Sequence, residues 1–445
     1  MSGYKAYKPT GVEWIGEIPE HWHIKRLKDV ANATLGKMLQ NDDSGSDDLK
    51  PYLRSFNVQW DRVDLSEVKE MWLSEYEQEQ YRLKKYDLVV SEGGEVGRCA
   101  IWLNELEECY IQNSVHKVTC NIRILPYFLL YQFTTAGKAG FFEKIINKVS
   151  IGHLTREKLV SVNFLLPPTE EQLSIANYID HQTQKIDRLI SNKKAQAEKL
   201  KELRRIVINN AVTKGLNPNA ELHESGIDWL GNIPKHWEVK RLKKFVSKIG
   251  SGVTPKGGSE VYEENGIPLF RSQNIHFDGL RTDDIVFITK ETHQAMSGSK
   301  VETNDVLLNI TGASIGRCYF YDGSLGEANV NQHVCIIRTK SKFDYRYLQQ
   351  FLSSDCGQSQ IFMGQNGTSR EGLTFQDIKN IIIPTPPLDE QIEITEFVKV
   401  RTNALAKLIN NTEAQIEKLL ELRKIKIYEA VTGKIKVTNY GEATA

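Results

Sequence analysis

Two groups of side chains in this 445-residue chain could read a hydrogen-bonding pattern on another molecule. Arg54, Asn57 and Gln59 make the first group, and Arg271, Gln273 and Asn274 are their counterparts later in the chain. Further along, Gln112, Asn113, His116 and Lys117 sit opposite Asn331, Gln332 and His333. Arg, Asn and Gln carry paired donors and acceptors that match guanine and adenine edges in the major groove of DNA, so these residue types on short strands and loops suit base recognition. Residues 251–256, with Thr254 and Lys256, and residues 367–370, with Thr368 and Arg370, have the composition of phosphate-contacting loops.

The chain carries no catalytic constellation beside these readers. A G-x-x-x-x-G-K-[ST] loop and an H-E-x-x-H helix are both missing. Pro167-Pro168 and Pro386-Pro387 are followed by Thr and Leu, so they terminate strands and lack the aromatic residue of an adenine-methylating motif. The glycine-rich pieces at 93–98 (GGEVGR) and 312–317 (GASIGR) have the wrong spacing for a dinucleotide loop and read as turns between strands. His21 and His236 occupy one position, I-P-x-H-W, where packing beside Trp22 and Trp237 explains them without metal or catalysis. Six cysteines form no C-x-x-C pair and read as reduced and structural.

What positions these residues is a duplication. Residues 11–28 (GVEWIGEIPEHWHIKRLK) and 226–243 (GIDWLGNIPKHWEVKRLK) share 11 identities in 18 positions. The copies stay in step to the end, with an offset that grows from 215 to 219 across the loop-rich early part. A repeat of this length is too long for a solenoid unit and suits two domains, each with its own core. Strands are expected at residues 51–59, 87–91, 98–103 and 114–121, and again at 268–275, 305–310, 317–321 and 332–339. Helices follow at 127–144 and 345–363, then apolar strands at 163–166 and 380–383. Each copy is therefore a mixed α/β, α+β-like unit.

Each copy ends in a long run free of Pro and Gly, from a capping-box-like start at Thr169 to about Val212, and from Leu388 to about Val431. Apolar residues recur at Ile186, Leu189, Leu200, Leu203 and Val207, and at Leu405, Leu408, Leu419 and Leu422, with Lys193, Gln196, Thr412 and Gln415 in mid-stripe. Helices of about 60 Å with such stripes are expected to pair as a coiled coil. If a two-fold axis relates the copies, they run antiparallel with one domain at each end. The expected layout is globular domains at 1–167 and 216–386, helical spacers at 168–215 and 387–435, and a tail at 436–445.

Net charge is zero, 57 basic against 57 acidic residues, so DNA binding would rest on local surfaces or on partners. No apolar run is long enough to span a bilayer or act as a signal peptide, which points to a cytoplasmic chain without a membrane partner.

Taken together, the pattern resembles the specificity subunit of type I restriction-modification enzymes. The residues that carry the resemblance are Gly-x-x-Trp-x-Gly-x-Ile-Pro-x-His-Trp twice, Pro-Pro-x-x-Glu-Gln at residues 167–172 and 386–391, and Ala-Val-Thr at the helix exits, residues 211–213 and 430–432. The resemblance spans essentially the whole chain. It implies two target recognition domains, each reading half of a bipartite double-stranded DNA sequence, and helices that dock two methyltransferase (modification) subunits. It also leaves room for motor-nuclease (restriction) subunits. S-adenosylmethionine, ATP and magnesium would then belong to those partners, with no cofactor or metal on this chain. Leu35-Gly36-Lys37-Met38 and the acidic residues 41–48 replace the second copy's phosphate loop, so the first copy's contact there is in question. Two other readings stay open: a protein scaffold that binds no nucleic acid, and a DNA-modifying enzyme, which would need a catalytic motif the sequence lacks.

Overall fold

The structure is a computed structural model and describes residues 3–438 apart from 13, 43–44, 46, 147–151, 256 and 364–371. The chain divides into two compact units, Met1–Lys193 with Ala414–Ala445, and Lys194–Glu413.

In the first unit an antiparallel sheet runs in the order Cys99–Ile101, Leu88–Ser91, Val115–Cys120, Ala31–Leu35. Both faces of its strand Leu88–Ser91 are buried, which is why that segment is apolar without alternation. Leu88 and Val90 join one core with Phe128 and Phe133 of helix Pro126–Lys138, while Val89 joins another with Leu53 and Trp102. A second sheet sets Asp48–Leu53 between Tyr110–Ile111 and Lys69–Leu73.

The second unit repeats this plan. Its first sheet runs Cys318–Phe320, Val306–Asn309, Val334–Thr339, Val246–Ser251, and its second runs Val286–Ile288, Ile267–Phe270, Ala328–Val330, Lys300–Val301. The helices expected at 127–144 and 345–363 each break in two. Gly140, at φ +69°, separates Pro126–Lys138 from Phe141–Ile145, and extended Ser354 separates Tyr345–Ser353 from Asp355–Met363. All six cysteines are unpaired. Burial pushes Cys109, Cys120 and Cys335 up to about 12, so these thiols are poor nucleophiles at neutral pH.

The repeated motifs meet at one latch in each unit. Glu171 and Gln172 do not close the expected capping box; they tie the first long helix, Thr169–Lys214, to its domain. Trp22 Nε1 donates to Glu171 Oε2 at 3.0 Å, Tyr4 Oη donates to the same oxygen at 2.8 Å, and His21 Nε2 lies 2.6 Å from Oε1. Gln172 accepts from the Leu125 amide at 2.8 Å and donates to the Pro167 carbonyl at 2.9 Å. The second long helix, Leu388–Val431, repeats this: Trp237 and His236 bond Glu390 at 3.0 and 2.8 Å, and Gln391 bonds the Asp344 amide and the Pro386 carbonyl. Gly433 and Gly215, both with positive φ, close the opposite ends of the helices against Trp22 and Trp237, where a Cβ would fall 3.1 Å from either ring. The Trp-Pro-His signature, the Glu-Gln helix starts and the glycines beyond the Ala-Val-Thr exits therefore form one joint, made twice.

Within the first unit the two long helices run antiparallel. Ile175 and Tyr178 share a core with Ile427 and Ala430, whereas Ile186 and Ile190, further along the first helix, meet Ile416 and Leu419, earlier on the second. Asp187 accepts from Arg423 at 3.1 Å. In the second unit Lys201 pairs with Glu413 at 3.3 Å. The buried seam follows Ile186, Ile190 and Ala197 on one helix and Leu405, Ile409, Thr412 and Ile416 on the other, the alternating 4 and 3 spacing of a heptad. This corrects the expected stripe. Leu189, Leu203, Leu408 and Leu422 are 39–51% exposed; Leu189 and Leu408 each lie one residue from a seam position, Ile190 and Ile409, and so about 100° around the helix.

Candidate nucleic-acid interface

A groove beside the expected readers lies in the second unit. It has a volume of about 440 Å³ and is lined by Ser272, Gln273, Thr311, Gly312, Ala313, Ser314, Arg317 and His333. Three turns build it. Strand Ile267–Phe270 ends one residue before a 3-10 turn, Ser272–Asn274; a second 3-10 turn, Gly312–Ser314, leads to Arg317; and residues 331–333 join strands Ala328–Val330 and Val334–Thr339. The strand expected over 268–275 is thus cut short, and Arg271 and Gln273 do not alternate along a pleat. Gln273 occupies the centre of a turn.

Asn274 makes that turn. It is fully buried; its Oδ1 accepts from the Arg271 amide at 2.9 Å and its Nδ2 donates to the Arg281 carbonyl at 3.0 Å and to Asp284 Oδ1 at 2.9 Å. Asn57, also fully buried, does the same in the first unit through the Arg54 amide (3.1 Å) and the carbonyls of Asp64 (2.8 Å) and Glu67 (2.9 Å). Neither amide has capacity facing a ligand. Arg271 donates to the Asp284 carbonyl at 2.8 Å and Gln273 donates to the Asp284 carboxylate. Arg54 pairs with Glu67 at 2.6 Å and lies over the Phe56 ring, 5.0 Å from its centroid. Phe56, 46% exposed, stands where the second copy has Gln273.

Around this turn the remaining expected readers divide. Asn331 accepts from the His333 amide at 3.1 Å, His333 Nδ1 is 2.6 Å from Thr311 Oγ1, and Gln332 Nε2 is 2.9 Å from His333 Nε2. In the first unit Gln112 bonds Asn113 and accepts from Ser114 Oγ at 2.5 Å, and Gln59 donates to the Phe56 carbonyl at 2.8 Å. These residues share one surface with the turn in each unit. His116 and Lys117 do not. His116 is fully buried against the Leu154 carbonyl at 2.7 Å, and burial lowers its pKa against that hydrogen bond. Lys117 donates to the Gln80 and Arg82 carbonyls at 2.6 and 3.0 Å, and burial lowers its pKa too. His116 serves the interior, and the half-buried Lys117 is spent on these two carbonyls.

Of the phosphate-loop residues, Thr254 is exposed, while Lys256, Thr368 and Arg370 lie outside the described residues. The loop start is constrained in both copies: a Cβ on Gly252 would come within 1.7 Å of the Val330 carbonyl oxygen, and one on Gly36 within 2.3 Å of the Ile111 carbonyl oxygen. Arg317 lines the groove and Arg98 is its equivalent in the first unit; in the sequence both read only as the ends of glycine turns. Among the described residues no group of three or more His, Cys, Asp or Glu side chains could hold a metal, and no helix is long and apolar enough to cross a membrane.

Comparison with known proteins finds the same arrangement elsewhere. A family model described as the type I restriction modification DNA specificity domain matches residues 19–199 and again 234–418. The chain is 25% identical over 443 residues to a putative type I restriction enzyme MjaX specificity subunit of Methanocaldococcus jannaschii, covering 95% of this chain and 96% of the relative. It is also 25% identical to the type I restriction enzyme EcoBI specificity subunit of Escherichia coli, over 91% and 85% of the two chains. Among solved structures, a chain from work on complex assembly and conformational transition of the type I R-M system superposes with a TM-score of 0.72 at 15% identity, over 94% of this chain and 99% of that one. The HsdS subunit of Thermoanaerobacter tengcongensis gives 0.54 at 17% identity, over 94% and 98%. At these identities the structures speak for the fold.

Proposed function

This chain belongs to the type I restriction modification DNA specificity family, whose domain it carries twice, and from that premise we propose that each copy reads one half of a bipartite double-stranded DNA target. One observation carries the reading. The copies build the same reading turn on the same buried asparagine, Asn57 or Asn274, yet present different side chains from it: Phe56 against Gln273, and Ser114 against His333 beside it. A conserved frame with exchanged readers suits two unlike half-sites, since an apolar ring meets a thymine methyl and an amide meets an adenine edge. Gln273, Gln332, His333 and Arg271 are the proposed contacts in the second domain, and Arg54, Gln59, Gln112 and Asn113 in the first. Asn57, Asn274 and Asn331 position them.

The chemistry belongs to partners. Two methyltransferase subunits dock on the long helices, where Leu189 and Leu408, and Leu203 and Leu422, stand exposed at equivalent positions of the two copies. S-adenosylmethionine binds those subunits; motor-nuclease subunits, with ATP and magnesium, join the same cytoplasmic complex. Transfer of a labelled methyl group to DNA tests this: the chain alone gives none, and the chain with its methyltransferase subunit modifies DNA carrying the target. Methyl transfer by the isolated chain, or partner binding with no retention of DNA, would replace this reading with an enzyme or with a protein scaffold.

A further inference from the structure

Arg98 and Arg317 hold the same position, each leading from a glycine turn into the strand that starts at Cys99 or Cys318. Their surroundings differ. In the first domain Arg98 Nη2 donates to the Ser55 carbonyl at 2.7 Å, Nη1 reaches Gln59 Oε1 at 3.5 Å, and Glu95 lies 3.6 Å away. The guanidinium thereby ties down the reading turn, whose first residue is Ser55.

In the second domain the carbonyl equivalent to that of Ser55 is that of Ser272, and it is held by Asn309 Nδ2 at 2.7 Å. Asn309 ends its strand where Ser91 ends the equivalent one: the Asn309 and Ser91 amides donate to the Arg317 and Arg98 carbonyls, each at 2.8 Å. The short Ser91 side chain bonds Gly93 instead, at 2.8 Å, which leaves the Ser55 carbonyl to Arg98. Asn309 does the tying in the second domain, and the Arg317 side chain has no hydrogen-bond or ion-pair partner among the described residues. It is half-buried and lines the groove beside Gln273 and His333. Serine replaces Glu95 there, at Ser314, and among the described residues no carboxylate lines that groove.

We infer that Arg317 is a specificity-determining base contact of the second domain, released for that task by Asn309, whereas its twin Arg98 is a structural tie. The inference rests on the DNA-reading assignment above. A free guanidinium presented by a rigid turn is suited to the O6 and N7 acceptors of guanine, which it can engage together. Lysine keeps the charge but loses the fork.

The test uses the full chain in complex with its methyltransferase subunit, acting on a library of randomised DNA whose methylated members are sequenced. Arg317→Ala and Arg317→Lys are each expected to relax one guanine-preferring position of one half-site by about 10- to 100-fold, leaving the other half-site and the gap unchanged. Asn309→Ser, which restores the first domain's residue, is expected to draw Arg317 onto the Ser272 carbonyl and relax the same position. Arg98→Ala is expected to relax no single position and to lower first-domain binding for every sequence alike. If the wild-type complex selects a bipartite motif and Arg317→Ala keeps full discrimination at every position, or loses affinity equally for all sequences, Arg317 is no base reader. A wild-type complex that selects no bipartite motif overturns the assignment beneath it.

Discussion

Glu171 shows how much of this molecule turns on single side chains that do no chemistry. Burial opposes its ionisation, but hydrogen bonds from His21, Trp22 and Tyr4 outweigh that and hold its pKa below the ordinary glutamate value of about 4.3. A carboxylate whose folded pKa is depressed adds stability that is fully present above the ordinary value and is lost as pH falls through the depressed one. Denaturant unfolding of Glu171→Gln is therefore expected to lose less stability than wild type between about pH 5 and pH 3. At neutral pH Glu171→Ala, which strips Trp22 Nε1 of its acceptor, should cost about 1–3 kcal/mol. An unchanged pH profile in Glu171→Gln would mean that this latch does not hold the helix to its domain.

Residue identity was the least legible layer of the sequence. The Arg, Asn and Gln clusters coincide with a 3-10 turn in each copy, yet an amide that matches a base edge also matches a backbone turn, and Asn57 and Asn274 are spent on the second. Arg98 and Arg317 look alike in sequence. Their difference is written in Ser91 and Asn309, several residues away, and becomes readable only once the turn carbonyls are placed.

At the scale of elements, the long helices were plain from the sequence, because some 44 residues without Pro or Gly leave few alternatives. Their seam was only half plain. Ile186, Leu405 and the polar Thr412 do line it, but two apolar stripes lie one residue apart, and spacing alone does not say which faces the partner helix. That ambiguity gives a prediction. Replacing Leu189, Leu203, Leu408 and Leu422 together with Gln should change the melting temperature little, since surface substitutions are usually within about 0.5 kcal/mol each, while it weakens capture of the methyltransferase subunit. Ile416→Ala, in the seam, should cost about 2 kcal/mol and leave capture intact below the melt. Equal capture by the four-leucine variant would place the docking surface elsewhere.

For the whole molecule the duplication is the governing fact, and it was legible from the repeated Trp-Pro-His-Trp segments alone. What sequence did not reveal is that the first unit's core contains Ile427, Ala430 and Val431 from the end of the second long helix. Ala211 and Val212, at the end of the first, enter the core of the second unit. A fragment ending at Gly215 therefore lacks part of its own core, and the same Ala-Val pair from a second fragment can supply it. Such a fragment is expected to be a dimer in light scattering and, with the methyltransferase subunit, to direct methylation to an inverted repeat of one half-site. A folded monomer would contradict the shared core.

The central claim, that two unlike readers on one frame select one two-part sequence, is tested most directly by mapping modified bases genome-wide in cells that carry this chain and its methyltransferase subunit. The expected result is a single motif of two short, dissimilar half-sites separated by a gap of fixed length and free sequence, absent when the chain is deleted. A continuous motif, or modification that persists without the chain, would contradict the account.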